Sequence, residues 1–184
     1  MSNEKNQTAV MKMETHHPNG NIKTRYQFVN GDKHGVQYEY DVNGDLAYEY
    51  NYENGEREGK GTGFYSPLNP VATIGKGSEY DKDGLKDSYL EISRKYLKKF
   101  EKHYVHGERH GTSKAWYPDG TLHYELEYSD AKRHGVHKGF RPDGTIEYEY
   151  HYWKGKRNGD YILYNQDGSI QSKRTYQQGK QIVR

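Results

Sequence analysis

The sequence predicts an all-β protein: one antiparallel, twisted sheet of tandem β-hairpin repeats with a single irregular insertion. Three observations predict it. Glycines and aromatics recur every 24 residues, as Gly111–Trp116–Gly120, Gly135–Phe140–Gly144 and Gly159–Tyr164–Gly168, and Gly35–Tyr40–Gly44 has the same internal spacing. A fixed period of this length means one structural unit copied along the chain. Between the glycines, apolar and polar residues alternate, which is the period of a half-buried strand. Asn-Gly and Asp-Gly pairs close these runs, and tight hairpin turns need the positive φ that such pairs adopt readily.

Taken in order, Met1 to Pro18 is polar and reads as a mobile N-terminal segment, with residues 19–184 forming one repeat domain. Ile22, Thr24, Tyr26 and Phe28 form a first, weak strand face; Leu46, Tyr48, Tyr50 and Tyr52 form a stronger one. A degenerate copy at Gly59–Phe64 ends on Leu68, and Gly75–Tyr80–Gly84 has the spacing of a further copy. The period breaks once, defining an insertion at about 60–103. Within it Ser66-Pro-Leu-Asn-Pro70 reads as a loop, and Ser88-Tyr-Leu-Glu91 as a capping box opening an amphipathic helix. Tyr89, Ile92, Tyr96 and Phe100 stand at helical spacing, and Lys95, Lys98 and Lys99 suit the helix dipole. A long irregular strand over 88–100 is the alternative.

After the insertion the strand face returns as Leu122, Tyr124, Leu126, Tyr128, then as Ile146, Tyr148, Tyr150, Tyr152. Its decay at Ser172 and Arg174 reads as a polar cap on the open end of the sheet. A second turn row runs through Gly31, Gly55, Gly107, Gly155 and Gly179, with Ala131 where a glycine is due.

Composition narrows the function classes. Only 31% of residues are hydrophobic and mean hydropathy is −1.31, values that alone favour disorder. The 20 tyrosines oppose this, because each buries a ring while its hydroxyl stays hydrated, so a tyrosine-rich sheet is stable yet reads as hydrophilic. The 28 basic and 26 acidic residues are interleaved, so the basic footprint of a nucleic-acid binder is missing. The absence of cysteine rules out disulfides and thiolate metal sites. With no apolar run of spanning length, the chain is expected to be a soluble cytoplasmic protein.

Aligned on its glycines, the unit resembles a MORN repeat, more closely the bacterial variant with the pattern Y-x-N-G-K-x-x-G-x-x-x-x-Y-x-x-x-G-x-L. The residues that carry this are Tyr52-Glu-Asn-Gly-Glu-Arg-Glu-Gly59 and the run from Tyr104 through Gly107, Gly111, Trp116 and Gly120 to Leu122. The similarity covers roughly residues 19–65 and 75–184, with 85–103 outside the pattern. Bacterial proteins of this kind are grouped as YwqK-like antitoxins, so the resemblance implies an antitoxin or immunity protein that neutralises a cognate toxin by direct binding. Eukaryotic MORN arrays imply the competing reading, a scaffold or membrane-lipid-binding module. Lys132-Arg133, Lys154, Lys156-Arg157 and Lys173-Arg174 recur at turns and would line one edge for anionic lipid.

No catalytic constellation emerges. His34, His110 and His134 each precede a repeat glycine. Equivalent residues of successive hairpins lie about 10 Å apart, whereas zinc ligands sit about 2.1 Å from a shared ion. The row therefore reads as turn chemistry. Glu125, Glu127, Glu147 and Glu149 alternate with tyrosines and read as a solvent face, not as paired acid–base carboxylates in a cleft. Gly59-Lys-Gly-Thr-Gly63 lacks the spacing of a phosphate loop. A non-enzymatic protein with no cofactor and no metal is expected.

Aromatics are the binding candidates, since Tyr and Trp bring large contact area at low entropic cost. Tyr48, Tyr50, Tyr148 and Tyr150 are assigned to the protein's own packing. Off-template aromatics are assigned to a partner: Tyr117 and Tyr161 oppose Trp116 and Tyr164 in parity, Trp153 opposes Tyr152, and Tyr89 and Tyr96 lie in the insertion. The strand glutamates 125, 127, 147 and 149 would steer a cationic client. An unblocked sheet edge also offers a place for a second copy of the chain.

Overall fold

The computed structural model describes residues 9–66 and 98–183. These form a single 15-stranded antiparallel sheet, and no helix occurs among them. In chain order the strands are β1 Val10–His16, β2 Ile22–Val29, β3 Asp32–Lys33, β4 Gly35–Tyr40, β5 Leu46–Glu53, β6 Glu56–Phe64, β7 Lys98–Val105 and β8 Glu108–Arg109. They continue with β9 Gly111–Trp116, β10 Leu122–Ser129, β11 Lys132–Phe140, β12 Ile146–Trp153, β13 Lys156–Tyr164, β14 Ile170–Gln177 and β15 Lys180–Ile182. Along the main path every strand pairs with its neighbours in sequence, and the short β3 and β8 pair back onto β2 and β7.

Two kinds of turn alternate. At one end, pairs such as Asn54-Gly55 (φ 50° and 83°) and Lys154-Gly155 (47° and 84°) put both central residues at positive φ, the signature of a type I′ hairpin turn. At the other, Asp119, Asp143 and Asp167 each accept the backbone N–H two residues on at 2.8–2.9 Å, closing Asp-Gly turns. Successive hairpins are stitched at both ends. Gly55, Ala131, Gly155 and Gly179 N–H groups donate to the carbonyls of Lys33, Arg109, Arg133 and Arg157, each in the preceding unit, at 2.8–2.9 Å. The Tyr117 hydroxyl donates to the Phe140 carbonyl at 2.9 Å, and Tyr65 makes the same contact to Trp116 at 2.8 Å.

Burial is achieved within the layer. Tyr50, Tyr104, Ala115 and Tyr176 are the buried hydrophobic residues among those described. Rings from one strand lie flat over small residues of the next: a Cβ at Gly61 would fall 2.4 Å from the Tyr50 ring, at Gly63 2.4 Å from Phe100, and at Gly139 2.1 Å from Tyr148. Over the glycine strand β6, rings from both sides approach, Tyr48 to Phe100 at 5.9 Å and Tyr50 to Tyr104 at 6.2 Å.

Two expectations are corrected. Val10–His16, read as part of a mobile start, is an edge strand that pairs with β2 along its length; Met11 and Met13 stand opposite Phe28 and Tyr26. The isolated sequence is polar, but a strand template beside it satisfies the backbone. Lys98, Lys99 and Phe100, read as the end of a helix, begin β7. Phe100 pairs with Gly63 on one side and Ala115 on the other, and its ring fills the space above Gly63, so tertiary pairing overrides the local helical spacing. The insertion is also narrower than 60–103. Phe64 pairs with Lys98 as Tyr40 pairs with Leu46, so 33 residues separate the paired positions in one case and five in the other. The remainder of the helix expectation, the Gly75–Tyr80–Gly84 copy, Tyr89 and Tyr96 lie outside the described residues.

Candidate functional site, a cation–tyrosine ladder

Strand alternation gives the sheet two unlike faces. One carries Tyr48, Tyr50 and Tyr52 on β5, and Tyr148, Tyr150 and Tyr152 on β12, with their cross-strand partners Gln37, Gly61, His137 and Tyr161. The other carries charged residues in cross-strand pairs. Lys114 meets Glu125 at 3.2 Å, Lys138 meets Glu149 at 3.6 Å, and Lys173 meets Asp160 at 2.8 Å.

A row of cations crosses the aromatic face. Lys33 lies 4.4 Å from the Tyr26 ring centre and 5.2 Å from that of Tyr52. Arg57 lies 4.1 Å from Tyr50 and 5.5 Å from Tyr104. Arg109 covers Tyr128 at 5.3 Å, Arg133 covers Tyr152 at 5.4 Å, and Arg157 sits 5.2 Å from both Tyr161 and Tyr176. Arg57, Arg109 and Arg133 also donate hydrogen bonds to the Tyr52, Tyr128 and Tyr152 hydroxyls at 3.2, 3.1 and 3.3 Å. Each cation–ring contact contributes about 0.5–1 kcal/mol at such exposure.

Each of these residues stands two positions after the second-turn residue, whose successor in the next unit bonds its carbonyl. Backbone stitching thus fixes the row, at about 10 Å per unit. Unlike the lysines of the charged face, none of the five cations is paired with a carboxylate among the described residues. The local potential is positive: burial, then the charges of Arg109 and Arg57, lower the pKa of Lys102. Burial, then the hydrogen bond with Tyr161, raises the Tyr150 pKa and keeps that phenol neutral.

One column of the aromatic face varies from unit to unit. Gln37 and His137, both 2% exposed, occupy it in two copies. Gln37 Nε2 donates to the Gln27 carbonyl at 3.2 Å, and His137 Nε2 to the equivalent Glu127 carbonyl at 3.2 Å. Ser113 holds the same position, and its buried hydroxyl has no hydrogen-bond partner. The histidine side chain loses its proton more readily than usual because burial disfavours the charged form.

The sequence-derived candidates distribute unevenly over this surface. Trp153 is 54% exposed, its ring 4.5 Å from that of His134. Tyr117 is a hairpin staple, bonded to Phe140 and with its ring tilted against His123 at 4.3 Å. Tyr161, assigned to a partner by its parity, lies on the tyrosine face, stacked on Tyr150 at 4.0 Å. Glu125 and Glu149 are spent on cross-strand lysines, Glu149 also meeting His151 at 3.1 Å. Glu127 faces His134 across the β10–β11 bulge, and Glu147 is exposed. Sequence reading picked out Arg133 and Arg157 among the basic residues at turns but missed their continuation through Lys33, Arg57 and Arg109, although a basic residue at one fixed place in each unit was the signal.

The fold and its ladder define a tandem β-hairpin repeat protein, each unit docking on the next. The sequence signature of the MORN repeat variant matches residues 33–54, 109–130, 133–154 and 157–178. No curated protein matches the chain. Among solved structures, it is similar to the crystal structure of accessory secretory protein 1, 2 and 3 in Streptococcus pneumoniae, at 10% identity and a TM-score of 0.25. That match covers 83% of this chain and 18% of the other, and it carries no argument about function.

Proposed function

We propose that the chain is a non-enzymatic binding protein of the cytoplasm that holds an acidic protein surface against its cation–tyrosine ladder. The observation that carries this reading is the row itself: five cations at repeat spacing, oriented by tyrosines and free of carboxylate partners among the described residues. Arg and Tyr are the residue types that dominate protein interfaces, and a preformed sheet presents them at little ordering cost. The resemblance to YwqK-like antitoxins supports a cognate toxin as the client, neutralised by occlusion. On the opposite face two of the four glutamates expected to steer a cationic client, Glu125 and Glu149, are matched by lysines, which favours an acidic client on the ladder side.

The test is to recover the partner with the tagged chain from its native host and titrate it against two variants. Arg109→Gln/Arg133→Gln/Arg157→Gln is expected to weaken binding at least about tenfold, since charge-assisted hydrogen bonds contribute roughly 1.5–3 kcal/mol each. Glu125→Gln/Glu147→Gln is expected to leave it unchanged. The reverse result, with both circular dichroism spectra normal, moves the site to the charged face.

The same unpaired row favours a second reading, a scaffold on anionic membrane, at about 1 kcal/mol per basic residue near the surface. Sedimentation with phosphatidylserine vesicles over a salt series separates the two. Lipid binding lost in the triple arginine variant supports the scaffold, and no lipid dependence removes it.

A further inference from the structure

Among the described residues the β1 edge of the sheet is open, and it is self-complementary. β1 ends the strand order, and all seven of its residues are exposed, including Val10, Met11 and Met13. An edge strand of this length with apolar side chains is a template for another strand, and proteins normally blunt such edges. The opposite edge is blunted: β15 has three residues.

The hydrogen-bond phase of β1 is fixed by Asn30, whose N–H donates to the Ala9 carbonyl at 3.1 Å directly across the β1–β2 ladder. Alternation then turns the backbone groups of Met11 and Met13 towards β2 and those of Val10, Lys12 and Glu14 outwards. On a two-fold axis through Met13, the run Val10-Met-Lys-Met-Glu-Thr-His16 pairs with its own copy. Lys12 of each chain then stands opposite Glu14 of the other, the two exchanging backbone bonds. This is the arrangement of Lys114 with Glu125 and Lys138 with Glu149, opposite each other on the same charged face. Glu14 already holds Arg25 at 2.7 Å, whereas Lys12 has no ion-pair partner among the described residues. The two Met13 side chains meet on the aromatic face as a non-hydrogen-bonded pair, where Cα atoms approach to about 4.5 Å.

We propose that a second copy of this chain pairs with β1 antiparallel about Met13, joining two sheets into one symmetric dimer. The isologous contact closes on itself, so the assembly stops at two chains. It is independent of what the ladder binds.

Sedimentation velocity over a concentration series of the full chain is expected to show a dimer. Lys12→Glu and Glu14→Lys are each expected to be monomeric, because like charges then face each other, and to form a mixed dimer when combined. Met13→Cys, in a chain without cysteines, is expected to oxidise to a covalent dimer, whereas Met11→Cys, placed opposite Thr15, is not. A wild-type monomer at all concentrations, masses that grow beyond two chains, or a dimer indifferent to Lys12→Glu overturns the proposal.

Discussion

At position 131 the chain holds alanine at φ 59°, where Gly31, Gly55, Gly107, Gly155 and Gly179 take the corresponding turn. A Cβ in the left-handed region costs roughly 1–2 kcal/mol, partly offset in glycine by its freer unfolded state. Ala131→Gly is therefore expected to stabilise the protein by about 1 kcal/mol, read as a higher urea midpoint at unchanged slope; a lower midpoint contradicts the turn assignment. His137 shows another residue-level choice. Its pKa is lowered by burial, so below the ordinary histidine value the unfolded chain binds the proton more readily than the fold. Stability from this site is full above about pH 6.5 and declines as the pH falls from there towards the lowered folded value. His137→Gln, which copies the buried Gln37 arrangement, is expected to reduce the fall in Tm between pH 7.5 and 5.5. An identical fall in both proteins assigns the acid sensitivity elsewhere.

At the scale of the element, the hairpin is the unit, and its turns tolerate very different lengths. The Phe64–Lys98 connection departs from and returns to adjacent strands, and Tyr65 keeps the staple position that Tyr117 holds before an ordinary Pro-Asp-Gly turn. Replacing residues 66–97 with Pro-Asp-Gly-Thr is expected to leave the β-sheet circular dichroism intact and Tm within a few degrees. Loss of cooperative melting would mean that the inserted chain is part of the packing. The hairpins were legible in the sequence because alternation and glycine spacing are local signals, as in Ile146 to Gly168. The edge strand β1 and the start of β7 were not, because Met11, Met13 and Phe100 become strand only through a neighbour that pairs with them.

At the scale of the whole molecule, segregation of charge matters more than net charge. A balance of 28 basic and 26 acidic residues hides a face where lysines and glutamates pair off and another where, among the described residues, Lys33 and four arginines do not. Sequence pattern located the glutamates and Trp153, but it did not distinguish the matched charges from the unmatched ones. That distinction depends on which residues stand opposite each other across strands. Tyr161 shows the same limit, since it stands directly opposite Tyr150 across β12 and β13, a pairing that parity counted from Tyr164 does not reveal.

Because every strand on the main path bonds only to its sequence neighbours, the molecule has a characteristic response to mechanical load. Tension between its two ends peels the outermost strand, breaking backbone bonds one after another instead of shearing many at once. The chain therefore pays out in hairpin-sized steps at low force. A partner seated across several rungs of the ladder would clamp those hairpins together and turn the yielding ribbon into a stiff one.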